Sequence, residues 1–362
     1  MTPRALGYAL LDRALGAGAL PDPALRAGAR LGARMRIARE ERGGVEAQEE
    51  RTRELVRHMS SGPIAEHPAK ANEQHYELPA EFMGLFLGPW RKYSACLWRS
   101  GVDDLAAAEE AMLELTCARA RIADGMEVLD LGCGWGALSL WIAERYPGAR
   151  VLAVSNSGGQ RRWIEAERHR LGLAGLEVVT ADVNEFAPGR RFDRVVSVEM
   201  FEHARNWSAL MQRVSDWIAP AGGAFVHVFS HRRLAYRFQR TWAAERFFTA
   251  GTMPSHELLA RFDGDLVVAD RWALSGEHYA RTLRSWLRRL DERAAEALAL
   301  LRRGRSEREA RMLLGTWRLF LLSTAEIWGW RGGDEWMLSH YLLERRDERR
   351  GGSGKKPLVR AT

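Results

Sequence analysis

Residues Glu127 to Gly136, Glu-Val-Leu-Asp-Leu-Gly-Cys-Gly-Trp-Gly, restrict the fold more than any other stretch of the chain. Val128, Leu129 and Leu131 form the short apolar run of a buried parallel strand. Gly132, Gly134 and Gly136 follow, and Ala137-Leu-Ser-Leu-Trp-Ile-Ala-Glu-Arg then carries an amphipathic helical pattern. The predicted unit is strand, glycine turn, helix. Glycines at the turn let a ligand approach the backbone without meeting a Cβ, and a helix starting there offers free N–H groups to a carboxylate or hydroxyl.

Gly132, Gly134 and Ala137 satisfy the loose G-x-G-x-x-G/A dinucleotide pattern, so a nicotinamide or flavin cofactor is weighed first. Two features oppose it. Asp130 places a negative charge where a diphosphate would lie, whereas a ligand carrying an ammonium group would be attracted. The next strand, Arg150 to Ser155, ends in Ser155 and Asn156, where a dinucleotide site has an acid for the ribose hydroxyl. S-adenosylmethionine fits better, having an ammonium, a carboxylate, a ribose and an adenine but no phosphate. A strand-to-helix turn without any ligand is the plain alternative.

The alternation continues downstream. A helix spans Gly159 to Leu171, strands fall at Leu176–Thr180, at Phe192–Val198 and at Gly223–Phe229 after the Pro220-Ala-Gly-Gly turn, and helix-length segments separate them. This order predicts an α/β fold with parallel pairing and right-handed crossovers, whose ligands lie outside the carboxyl ends of the strands. Gly132, Ser155, Asp182 and the segment Glu199–His203 then surround one crevice.

Around that centre, residues 1 to about 60 read as helices broken at Pro21-Asp-Pro23, and a second helix runs from about Val45 to Met59. A helix is expected from about Asp103 to Ile122, opened by Asp103 and Asp104. Just before it, Tyr93 and Ser94 sit in an extended segment that could lay a phenol and a hydroxyl over a cofactor carboxylate, or simply pack on the core. Leu266-Val-Val-Ala and Trp272-Ala-Leu read as strand, Tyr279 to Trp330 as helix, and Trp336 to Leu343 as a closing strand. The organisation expected is an N-terminal helical extension (1–75), a catalytic domain (76–344) with lid helices at about 232–330, and a disordered basic tail (345–362).

The formal charge of +7 invites a nucleic-acid reading, but residues 345–362 hold seven Lys or Arg against two Asp or Glu. Most of the excess is therefore on the tail, and no basic stripe interleaved with aromatics marks a nucleic-acid surface. Three cysteines without CxxC spacing, Cys96, Cys117 and Cys133, argue against a disulfide framework and against a metal site. They suit a reducing cytoplasm. No apolar run approaches a membrane span, which leaves peripheral membrane contact and a homodimer open.

Glu199, Glu202 and His203 gather at the end of the fourth strand, facing the place where a methyl donor would present its sulfonium. Methyl transfer is an in-line displacement that depends mainly on alignment. An amine acceptor arrives protonated and needs a base beside it, and a carboxylate next to an imidazole supplies both attraction and a proton acceptor. An acid-rich helix start with a packing histidine accounts for the same residues equally well. The tryptophans of the C-terminal third suit a cage for a cation, a slot for an acyl chain, or an ordinary core.

Taken together these segments resemble the cyclopropane-fatty-acyl-phospholipid synthase superfamily, and within it the coclaurine N-methyltransferase branch. The resemblance rests on Gln74-His-Tyr-Glu-Leu-Pro-Ala-Glu-Phe, Lys92-Tyr-Ser, the glycine turn, Ser155-Asn-Ser-x-x-Gln160, Ser197-Val-Glu-Met-Phe-Glu-His203, Phe248-Thr-Ala-Gly-Thr-Met-Pro254 and Asp334-Glu-Trp-Met. It implies a class I, Rossmann-like methyltransferase with a seven-stranded sheet and a helical lid. By this resemblance Tyr93, Ser94, Gly132, Gly134, Ser155, Gln160, Asp182 and Val183 hold S-adenosylmethionine. Glu199 attracts the acceptor ammonium, and Glu202 and His203 form the acid–base pair. The cyclopropane synthases hold a bicarbonate base partly through a cysteine directly after the Tyr-Ser pair. Here Ala95 stands there, with Cys96 one further on, while Glu202 and His227 match other bicarbonate positions. The expected reaction is N-methylation of a small amine. Methylene transfer to a lipid acyl double bond is the rival, and a non-catalytic binder of S-adenosylmethionine is the alternative of another class.

Overall fold

The strand Glu127–Leu131 (β1) sits in the middle of a seven-stranded sheet. In the computed structural model, which describes residues 3–66, 78–238, 241–248 and 251–346, the other strands are Arg150–Ser155 (β2), Leu176–Thr180 (β3), Phe192–Val198 (β4), Ile218–His231 (β5), Leu266–Ser275 (β8) and Trp336–Arg345 (β9). A separate two-stranded ribbon joins Tyr236–Arg237 (β6) and Thr252–Met253 (β7). The sheet order is β3-β2-β1-β4-β5-β9-β8, with β3 to β5 pairing in parallel and β9 antiparallel to both neighbours. Expectations for residues 67–77, 249–250 and 347–362, which include the start of the Gln74 motif and most of the tail, lie outside the described residues.

The parallel strands form because their side chains are apolar on both faces. On one face Leu129, Leu131, Leu152, Val154 and Val195 pack beneath the helix Trp207–Trp217. On the other, Val128, Val151, Ala153 and Val196 pack against the helices Leu105–Ala120 and Ala137–Arg145. Asp104 caps the first of these by accepting from the N–H groups of Ala106 and Ala107, as the acids at that point in the sequence predict. Two strand readings are refined. The Pro220–Gly223 turn persists as a bulge inside a longer β5, between the Phe192–Ile218 and Arg194–Gly223 pairs, with Ala221 at φ +59°. The two apolar runs after Leu266 join into the single strand β8 across a shift between Val268 and Asp270.

A third apolar cluster lies over the carboxyl ends of the strands. The helices Glu277–Glu292 and Glu307–Trp328 supply Leu283, Trp286, Trp317 and Phe320 to it, and the short helix Ala80–Phe86 supplies Phe82 and Phe86. The N-terminal helices Pro3–Gly16 and Asp22–Glu40 pack on the outside of Glu307–Trp328, where Glu326 binds Arg26 and Arg30. No helix among the described residues is long and apolar enough to cross a membrane.

Candidate functional site

The glycine turn after β1 is held by the N–H groups of Gly132 and Cys133, both donating to the Val154 carbonyl on β2. Gly132 has φ +83°, and a Cβ there would meet Met200 Cγ at 2.5 Å. Gly134, at φ +55°, has nothing within 4 Å of the same point and faces open space. The turn is therefore tight on one side and open on the other. The cavity at that opening is lined by Lys92, Tyr93, Ser94, Asp130, Gly132, Gly134 and Glu199, among others. Asp130 accepts a hydrogen bond from Ser139 (2.6 Å), and burial pushes its carboxyl up to about 6.

The ends of β2 and β3 supply a second set of groups, outside that cavity's lining. Ser155 donates to Gln160 Oε1 (2.6 Å) and accepts from the Ser157 N–H (3.0 Å). The other end of the amide, Gln160 Nε2, is buried and has no hydrogen-bond partner. A buried donor left unpaired costs about 1–3 kcal/mol, so this N–H is a good seat for a ligand hydroxyl. Asn156 follows Ser155. Asp182 accepts from the Asn184 backbone (2.8 Å) and side chain (3.0 Å), which pins the loop, and the Val183 carbonyl accepts from Arg213. The residues present fit S-adenosylmethionine: an open glycine, an orphaned amide and a buried acid lie along one edge of the sheet. Tyr93, Ser94, Asp130, Gly132 and Gly134 could hold its amino-acid end, and Ser155, Asn156, Gln160, Asp182 and Val183 its nucleoside.

Beyond Glu199 lies a second pocket, lined by Tyr93, Glu199, His203, Phe229, Phe248, Tyr279, Leu283, Trp286 and Phe320. Seven of these nine side chains carry rings. Tyr93 stacks on Trp286 (5.6 Å), and His203 stacks on Phe248 (6.0 Å, 17°). Among the described residues, Glu199 is the one carboxylate in the lining. It sits at φ +50°, and its carboxylate accepts from the Ala95 N–H (2.9 Å) and the Tyr279 hydroxyl (2.7 Å). Burial raises its carboxyl, opposed by the Lys92 ammonium and these two donors.

Glu202, one turn on, behaves differently. Its Oε1 accepts from the Phe229 N–H (2.6 Å), its Oε2 has no hydrogen-bond partner, and it is absent from the pocket lining. Burial and then the Glu199 charge hold its carboxyl well above the ordinary range. The structure thus brings Glu199 and His203 to one pocket and sets the Glu202 carboxyl against β5. His227 on β5 stands 3.6 Å from Glu199 and faces His340, its register partner on β9. Burial, with Lys92 and Arg119 nearby, holds both rings well below the ordinary imidazole range.

Several groups were not singled out from the sequence. Tyr279 reaches Glu199 from the lid and has no local motif to announce it. Lys92 is buried, donates to Ser94 Oγ and to the Ala95 carbonyl (2.7 Å), and so shapes the Tyr93–Ala95 segment. Glu109 accepts from the N–H groups of Gly88 (3.1 Å), Trp90 (3.0 Å) and Lys92 (3.2 Å), and burial pushes it up to about 7. The Lys-Tyr-Ser motif was the available signal for Lys92; Glu109, one of the three acids in the helix Leu105–Ala120, had none of its own.

Known proteins are similar to this chain in sequence and fold. The family model described as mycolic acid cyclopropane synthetase matches residues 65–329. The chain is 38% identical over 300 residues to an (S)-coclaurine N-methyltransferase from Thalictrum flavum subsp. glaucum, covering 81% of this chain and 83% of that one. It is 33% identical over 336 residues to the (S)-coclaurine N-methyltransferase of Papaver somniferum, covering 91% and 96%. A crystal structure of coclaurine N-methyltransferase bound to N-methylheliamine and SAH superposes with a TM-score of 0.89 at 35% identity, covering 93% of this chain and 99% of that chain.

Proposed function

The chain belongs to the mycolic acid cyclopropane synthetase family and is an S-adenosylmethionine-dependent methyltransferase, and from that premise we propose that it methylates the nitrogen of a small amine with an aromatic or otherwise apolar body. The observation that carries this reading is the carboxylate of Glu199, whose side chain is 7% exposed, set among the rings that line the pocket. S-adenosylmethionine supplies the methyl group, as an electrophile on a sulfonium. Everything else falls to the chain's own residues.

An amine enters as an ammonium ion and must lose water and a proton. The ring faces of Tyr93, Phe248, Tyr279 and Trp286 replace part of its hydration by cation–π attraction, about 0.5–2 kcal/mol for each good face. Glu199 is held by two donors that favour its charged form, so it pairs with the ammonium and orients the nitrogen. Its raised pKa also makes it a competent proton acceptor, since its basicity is then closer to that of the amine under attack. His203, on the same pocket wall, is placed to accept the proton from that side. Glu202 carries no part of this contact directly. It fixes the Glu199–His203 turn through Phe229.

Unpartnered atoms on Glu202 and His227 favour a second reading, bicarbonate-assisted transfer to a lipid double bond. Ala95 stands where that chemistry has a cysteine, and the Cys96 thiol turns back to the Ser94 carbonyl (3.7 Å) instead of lining either pocket. The exposed large apolar side chains among the described residues, Leu6, Leu10, Leu31, Met35 and Val45, all lie on the N-terminal helices. That face is the one to test for self-association or membrane contact.

The decisive experiment offers purified protein methyl-labelled S-adenosylmethionine with a panel of benzylic and cyclic secondary and tertiary amines, and in parallel with vesicles of unsaturated phospholipid. Label on an amine nitrogen is the expected result. Label confined to acyl chains overturns the proposal.

A further inference from the structure

Asp12 is a buried acid in the first N-terminal helix, ahead of the residues that the family model matches. Its carboxylate accepts from the Trp242 indole N–H (2.8 Å) and pairs with Arg246. Both partners lie on one short helix, Trp242–Arg246, and the next two residues are Phe247 and Phe248. Phe247 stacks on Phe320 at 4.1 Å and 18°, and Phe248 forms the pocket wall that stacks on His203. We infer that Asp12 is a positioning residue for amine binding: through the Trp242–Arg246 helix it sets the aromatic wall opposite Glu199. The inference rests on the reading of that pocket as the acceptor site.

The physical case is that a buried carboxylate is tolerated only where its partners hold it, and removing one partner costs far more than the pair contributes. The Asp12 side chain is 8% exposed and Arg246 is 41% exposed. Without Asp12, Arg246 turns to water, but the buried Trp242 N–H loses its acceptor and the short helix is free to shift. A shift of about 1 Å in such a wall is felt by the bound acceptor. Apart from Tyr93 and Ser94, the proposed cofactor groups lie at the ends of β1 to β3, so the affinity for S-adenosylhomocysteine should be largely kept. The N-terminal helix is itself firmly seated, since a Cβ at Gly315 would meet the Leu15 backbone at 2.9 Å.

The test compares wild type with Asp12→Ala and Asp12→Asn, reading the KM of an amine acceptor, kcat, the affinity for S-adenosylhomocysteine, and the binding of benzyltrimethylammonium, which cannot be methylated. The expected result for Asp12→Ala is an acceptor KM and a probe Kd raised about tenfold, with kcat at saturation and S-adenosylhomocysteine affinity within about twofold. Asp12→Asn keeps an oxygen for the Trp242 N–H and loses less. Should Asp12→Ala fail to fold, Trp242→Phe combined with Arg246→Met removes the same contacts from the other side. Probe binding unchanged in these variants, or lost in step with S-adenosylhomocysteine, overturns the inference alone. Wild-type protein that binds no probe and methylates no amine sinks the acceptor reading and this inference with it.

Discussion

The two ends of the crevice are built on opposite plans. The proposed cofactor end takes most of its groups from three short stretches, residues 130–134, 155–160 and 182–183, with Tyr93 and Ser94 added from the loop before the helix Leu105–Ala120, and it offers backbone shape, hydrogen bonds and the Asp130 and Asp182 carboxyls. The acceptor end draws on residues from 93 to 320 and works through one buried charge among rings. The difference teaches that a ligand common to many chains can be held by a local motif, whereas a particular acceptor is defined by whatever the lid delivers. It also predicts that damage at one end leaves the other intact.

The largest effect is expected from Glu199→Gln, which keeps the side chain's size and removes its charge. It should lower kcat/KM for the amine by about 10²–10⁴-fold while leaving S-adenosylhomocysteine affinity within about twofold, measured by steady-state kinetics and calorimetry. A matching loss of cofactor affinity would break the separation of the two ends. Next is Gly132→Ala. Its Cβ would clash with Met200 at 2.5 Å in a backbone conformation that L residues rarely adopt, so cofactor affinity should fall about a hundredfold. Benzyltrimethylammonium binding should stay close to wild type.

Tyr279→Phe sharpens the acceptor side. Removing this donor takes away a hydrogen bond that favours the ionised form of Glu199, so its pKa rises further. If ionised Glu199 is the working form, activity climbs as pH rises through that pKa. The acid limb of the kcat/KM profile should then move to higher pH, with a loss of about tenfold at neutral pH. A limb that stays in place would mean that another group sets it. The smallest effect concerns stability. The Glu202 carboxyl is raised in the folded protein, so the folded state binds more protons than the unfolded one. Its contribution is fully present below the ordinary carboxylate range and is lost as pH climbs from there toward the raised value, at about 1.4 kcal/mol per pH unit at most. Glu202→Gln should therefore unfold at a higher temperature than wild type at pH 8, with the gap closing toward pH 4, in thermal melts across pH.

Much of the sheet was legible in advance. Apolar runs bounded by turns gave β1 to β4 within a residue, and the acids before Leu105 marked a helix start that Asp104 does cap. The bulge in β5 was read as a turn outside the strand, because a local Pro-Ala-Gly-Gly signal cannot reveal that the ladder resumes beyond it. The glycine turn was legible for the same local reason, whereas the pairing of Ser155 with Gln160 came into view only through the family resemblance. Tyr279 was not, since nothing in a Glu-His-Tyr helix start tells that its hydroxyl ends at a carboxylate eighty residues away in the chain.

What the sequence determined by itself was the framework of the proposed cofactor half: strand, turn and helix are short-range features, and their order alone brings the glycine turn and the ends of β2 and β3 to one side of the sheet. What only the tertiary structure decided was the acceptor half. Glu199, Glu202 and His203 are neighbours in the chain, yet packing turned Glu199 and His203 into an aromatic pocket and the Glu202 carboxyl against β5. Burial and partners distant in the chain shift the two carboxyls, and for Glu199 one of those partners, Tyr279, comes from a helix about eighty residues further on.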